Sequence, residues 1–151
     1  MSIWTRKQIS WENIMIHHSL TRDSGTVSWQ AIRHYHVAKL GWKDIGYHFG
    51  IELVNDQYEV LVGRMINEEG AHCREAGMNR KAIGICFIGN FDETNLPDQQ
   101  RELGVRLVKS LMAQFKIPVD YVVCHRDFAP YKSCPGNRFP WAAFKNQLAQ
   151  G

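Results

Sequence analysis

The chain is short of several features that would each have pointed to a class of function. None of its apolar runs approaches the ~20 residues of a membrane span, so no membrane partner is expected. The N-terminus, Met-Ser-Ile-Trp-Thr-Arg-Lys, has no apolar h-region, which predicts synthesis in the cytoplasm without a signal peptide. There is no Lys/Arg block and no interleaving of aromatic with basic residues, so nucleic acid is not an expected partner. No internal repeat or linker interrupts the 151 residues, which predicts one domain over residues 1–151 with a core of its own. Cysteine is scarce: Cys73, Cys86, Cys124 and Cys134. Their even number admits a disulfide reading. A chain of this length without a signal peptide favours reduced thiols instead.

What remains is ordinary in bulk and informative in pattern. Hydrophobic residues make up 44% and charged residues 22%, and the net charge of +3 is mildly basic. That balance suits a polyanionic surface and decides nothing alone. Asn13 to Ser19 reads as a strand covered on both faces. Residues 1–12, with Trp4, Ile9 and Trp11, read as an arm packed on the body, and Thr21 to Gly25 as loop. Ser28 is a candidate N-cap for a helix to about Leu40, with Ile32, Tyr35 and Leu40 as its apolar stripe and Gly41 ending it. Tyr47–Val54 and Tyr58–Val62 read as a hairpin turning at Asn55-Asp56-Gln57. Residues 63–82 are polar and irregular, as a long functional loop is.

Ala82 to Ile88 is a further buried strand. Pro97 opens a second helix in which Leu103, Leu107, Leu111 and Phe115 recur every fourth residue, with Val108 and Met112 beside them. Tyr121 to Cys124 is a short strand running into His125, and a last helix begins near Phe139-Pro140 with Trp141, Phe144 and Leu148 inward. Strands separated by helices, with one hairpin, predict an α/β fold: a central mixed β-sheet flanked by helices, with its site at strand ends.

Two strand-end clusters carry the chemistry. His125-Arg-Asp-Phe-Ala-Pro-Tyr-Lys-Ser-Cys134-Pro-Gly136 sets an imidazole and a thiol on one stiff loop, and both are groups that zinc prefers. Ile16-His17-His18-Ser19 offers a third ligand. Neighbouring strand residues point to opposite faces, so only one of His17 and His18 can reach the ion and the other is a packed partner. From spacing, His17, His125 and Cys134 form a catalytic zinc set with an open fourth position. The competing reading is a packed histidine pair and an unrelated buried thiol. His34 and His36 lie two apart on a helix and read as structural, as does His48. His72 is either a substrate contact or a surface residue, and Cys73 and Cys86 read as small buried hydrophobes.

Ile16-His-His-Ser19, Gly41-Trp-Lys-Asp-Ile-Gly-Tyr-His-Phe49, Gly70-Ala-His72 with Asn79 and Ile83-Gly-Ile-Cys86, and His125-Arg-Asp with Cys134-Pro-Gly136 together resemble the zinc-dependent N-acetylmuramoyl-L-alanine amidases. This family spans short bacteriophage lysozymes and animal peptidoglycan recognition proteins. The motifs fall in family order over residues 14 to about 148. The resemblance implies Zn²⁺ on His17, His125 and Cys134, with Tyr47 and Lys132 completing the catalytic group. It implies hydrolysis of the amide between N-acetylmuramic acid and L-alanine in bacterial peptidoglycan, by a monomer acting on the wall after release. Where the family's wall-recycling branch carries a carboxylate, this chain has Cys86, which leaves Tyr47 as the expected base. Lys132 is expected at the developing oxyanion, and His72, Asn79 and Arg64 are candidate contacts to glycan or peptide. The alternatives are a peptidoglycan-binding module without turnover and a cytoplasmic amidase recycling muropeptides.

Overall fold

Five short strands account for the sheet. β1 (Asn13–His18) and β4 (Ala82–Phe87) are buried at every residue, as near-continuous apolar runs covered on both faces must be. β2 (Phe49–Val54), β3 (Gln57–Val62) and β5 (Val122–Cys124) complete it in the order β3-β2-β4-β1-β5. β2, β4, β1 and β5 run parallel, and only the edge strand β3 is antiparallel, so the expected mixed sheet is present. The β2–β3 turn is tight because Asn55 and Asp56 both take positive φ, 48° and 68°. The computed structural model describes residues 8–21 and 29–151. Trp4 of the expected arm, the loop from 22 to Gly25 and the Ser28 cap lie outside the described residues.

Strand alternation divides the molecule into two faces. Ile14 and Ile16 of β1 and Ile83, Ile85 and Phe87 of β4 meet Val105, Val108 and Leu111 of α3 (Asp98–Phe115) and Phe144 and Leu148 of α5 (Trp141–Ala149). Their alternates, Met15 and His17 of β1 and Ala82, Gly84 and Cys86 of β4, point the other way, under residues 63–81, which were expected to be irregular throughout but end in a short helix, α2 (Met78–Lys81). On that side, α1 (Trp29–His34) buries Trp29 against Ile45, Cys86 and Ile88.

Two further expectations are corrected. α1 widens into a π-type turn over Tyr35–Lys39, with Leu40 N–H donating to the Tyr35 carbonyl at 3.1 Å, and this rotates Tyr35 and Leu40 outward to 54% and 43% exposure. The face α3 buries is Gln100, Gly104, Val105, Val108 and Leu111, whereas Leu103, Leu107 and Phe115 are half-buried at its edge. His125 follows β5 directly, as expected, and starts a helical turn, α4 (His125–Phe128), capped by Asp127 Oδ2 accepting the Cys124 N–H at 2.9 Å.

Candidate metal centre

The C-terminal end of β1, the first turn of α4 and the loop after it converge on one point. His17 Nδ1 lies 3.7 Å from Cys134 Sγ, and the His17 and His125 rings are 4.5 Å apart between centroids. One donor atom from each of His17, His125 and Cys134 lies within 4.8 Å of the others, and all three residues are buried. A tetrahedral zinc with Zn–N of about 2.0–2.1 Å and Zn–S of about 2.3 Å sets nitrogen and sulfur roughly 3.6 Å apart. The donor set and its spacing therefore fit that ion.

The tautomers can be read from the hydrogen bonds. The Ala82 carbonyl can only accept, so His72 Nε2, 2.9 Å away, carries the proton. His72 Nδ1 then accepts from His17 Nε2–H at 2.9 Å, which leaves the lone pair of His17 on Nδ1, facing Cys134. Burial holds His72 at about 3 and His17 well below the usual imidazole range, with the neighbouring histidines adding to both. Burial, followed by the Lys132 charge, lowers His125 to about 4. Both imidazoles are thus neutral, the state that binds a metal. Burial pushes the Cys134 thiol up to about 12, opposed by the His18 backbone N–H that donates to Sγ at 3.4 Å.

The loop carrying Cys134 is tied from two sides. Asp92 accepts from Ser133 Oγ at 2.6 Å and from the Asn137 N–H at 2.8 Å, while Arg126 donates to the carbonyls of Ser133 and Gly136 at 3.2 and 3.1 Å. Gly136 is required here: its φ is +117°, and a Cβ would stand 2.5 Å from the Phe91 carbonyl carbon. The Cys134–Pro135 peptide is cis. All four cysteines are free thiols.

His18 faces away from the centre, accepting the Phe91 N–H on Nδ1 at 3.1 Å. His48 is a satisfied core residue, its ring bonded to the Glu68 carbonyl and the Gly84 N–H. Tyr47, just before β2, sets its ring 5.2 Å from that of His17. Burial, then the Cys86 and Cys134 thiols, hold its phenol well above the usual range. Lys132 is exposed on the wall of a groove formed by two adjoining clefts of about 510 Å³ each, which share Trp42, His125 and Tyr131.

Of the three expected substrate contacts, His72 and Asn79 line the groove and Arg64 does not. His72 is buried rather than at a loop tip, yet it lines both clefts from the groove floor, its ring between Gly70 and Gly84. Asn79 lines the groove, but its Oδ1 is occupied by the N–H groups of His72 and Cys73 at 2.7 and 2.8 Å. Arg64 is not brought to the groove: buried, it donates to the Ile45 and Glu69 carbonyls at 3.0 Å each. Sequence reasoning did not single out Trp42, which lines both clefts with its ring 4.5 Å from that of His36 and tilted by 43°; His36, read as structural, accepts the Gly46 N–H on Nδ1 at 3.0 Å. The Gly-Trp of Gly41-Trp42 was the available signal.

The family model described as N-acetylmuramoyl-L-alanine amidase matches residues 7–137. The endolysin of Enterobacteria phage T3 is 35% identical over 130 residues, 82% of this chain and 80% of the relative. Peptidoglycan-recognition protein SC2 of Drosophila melanogaster is 32% identical over 127 residues, 81% of this chain and 66% of the relative. Among solved structures, the N-acetylmuramoyl-L-alanine amidase LysC from Clostridium intestinale URNW superposes with a TM-score of 0.80 at 31% identity, covering 95% of this chain and 88% of that one.

Proposed function

The chain belongs to the N-acetylmuramoyl-L-alanine amidase family, and from that premise we propose that it hydrolyses peptidoglycan with a zinc ion held by His17, His125 and Cys134. Amidase activity on peptidoglycan is common ground with its endolysin and amidase relatives. The bond cut joins the lactyl group of N-acetylmuramic acid to the L-alanine of the stem peptide. The observation that supports zinc is the 3.7 Å between His17 Nδ1 and Cys134 Sγ, the spacing of two ligands on one tetrahedral ion.

When bound, zinc supplies a Lewis acid and lowers the pKa of water in its open position to about 7. The remaining steps fall to the chain. His72 fixes His17 with its lone pair on Nδ1. Tyr47, kept protonated by burial, orients water or the substrate carbonyl as a hydrogen-bond donor rather than taking a proton. Lys132 stabilises the oxyanion and protonates the leaving amine, a role supported by its position on the groove wall and by its charge acting on both His17 and His125. On this reading the protein works as a monomer and acts on the wall once released from the cell that made it. A binding module without turnover would have no need of the thiol, and Cys134 is present and aimed at His17.

The test is zinc content measured beside release of stem peptides from purified wall. His17→Ala, His125→Ala and Cys134→Ser should each lose both, with the fold retained. Full peptide release by zinc-free protein would overturn the reading.

A further inference from the structure

A second set of soft donors adjoins the first. One donor atom each from Cys73, Glu75 and His125 lies within 4.8 Å of the others, with Cys73 and His125 buried and Glu75 half-buried. Cys73 Sγ stands 3.3 Å from Glu75 Oε2, close to the separation of two ligands on one ion. The carboxylate is already positioned, because its other oxygen accepts the Tyr131 hydroxyl. The backbone at Cys73 is fixed too, its N–H donating to Asn79 Oδ1 at 2.8 Å, and the chain turns sharply just beyond, where Ala76 and Gly77 take φ of 54° and 70°. His125 makes no side-chain hydrogen bond among the described residues, so neither of its ring nitrogens is committed to a protein partner.

We propose that Cys73, Glu75 and His125 bind a second soft divalent cation, zinc or cadmium, with His125 giving one ring nitrogen to each ion. The inference rests on the first site being the metal centre proposed above. Thiolate, carboxylate and imidazole together suit zinc and its heavier congener, and reject magnesium and calcium, which take all-oxygen sets. On binding, the Cys73 thiol and the remaining N–H of His125 each release a proton to solvent. The charge of an ion on His125 opposes a second one sharing that ring, so the second site is the weaker and fills at excess metal. Cys73, Glu75 and His125 all line one of the two clefts, so the second ion stands in the groove and inhibits hydrolysis. This makes the amidase self-limiting at excess metal.

The experiment uses the full chain loaded with one equivalent of zinc and titrated with further zinc or cadmium, with bound metal counted after rapid desalting. Wild type should rise from one equivalent to two, while Cys73→Ser and Glu75→Gln stay at one. Inhibition by excess zinc should be relieved in both variants. A wild-type stoichiometry that stays at one under excess metal overturns the proposal, and so does a second equivalent retained in both variants. Loss of the first equivalent in Cys134→Ser is a separate outcome and reports on the metal centre alone. Both variants bind that first equivalent if they fold, so a misfolded protein is recognised by its absence.

Discussion

Removing the imidazole of His72 should weaken metal binding although His72 is not a ligand. It spans from the Ala82 carbonyl to His17 Nε2 through two bonds of 2.9 Å, and that relay holds the His17 lone pair on Nδ1. In His72→Leu the His17 Nε2–H is left buried without a partner, at a cost of about 1–3 kcal/mol, and the ring is free to take the wrong tautomer. Loss of such an outer partner lowers metal affinity 10–100-fold, or about 1.4–2.7 kcal/mol, which agrees with the cost of the orphaned donor. His72→Asn should recover much of this, because its side-chain oxygen can replace Nδ1 as the acceptor. The assay is zinc affinity by competition with a chromogenic chelator, with thermal unfolding of the apoprotein alongside to separate packing from polarity. Wild-type zinc affinity in His72→Leu would refute the relay. Equal losses in Leu and Asn variants would reduce it to packing.

Lys132→Ala should keep zinc and lose turnover by about 10²–10³, the loss of 2.7–4 kcal/mol typical of removing one oxyanion donor; peptide release at saturating wall, with metal content, checks it. Gly84→Ala should weaken zinc binding as His72→Leu does, because the new Cβ would stand 2.6 Å from the His72 ring, which Gly70 blocks from the other side; chelator competition measures it. The apoprotein should lose stability below neutrality. Burial lowers His18 and His125 to about 4 and His72 to about 3, so the unfolded chain binds more protons from about pH 6.5 downward, and stability falls as pH drops through that window. At pH 5 each histidine taken alone contributes about 2 kcal/mol of destabilisation, read as a drop in the urea midpoint between pH 7 and 5 in the presence of chelator. No such drop would mean that these rings are hydrated.

The sheet was legible because its central strands are buried on both faces and so read as unbroken apolar runs. α3 was legible as an element but not in its orientation. Two of the positions it buries, Gly104 and Gln100, give no hydrophobic signal: Gly104 is there because a Cβ would stand 2.4 Å from the Phe87 ring, and Gln100 because its amide donates to the Ile51 and Ile88 carbonyls. The π-type turn after α1 was equally hidden, since an inserted residue shifts the inward face without changing composition.

The centre divides along the same line. Ligands come from short motifs whose residue types announce their chemistry, so His17, His125 and Cys134 could be named before any coordinates. The groups that orient them are joined across the chain, as His17 is to His72 at a separation of 55 residues. Residues 63–82 read as a polar surface loop because His, Arg, Asn and Glu are usually exposed. Here the loop folds back over the sheet, and those same side chains satisfy buried backbone: Arg64 on two carbonyls, Asn79 on two N–H groups, His72 on Ala82. A segment with few apolar residues cannot be held by burial alone, so its polar side chains supply the bonds that fix it. The same bonds fix the ring that fixes the ligand, which is why this polar stretch should be as sensitive to substitution as the strand it covers.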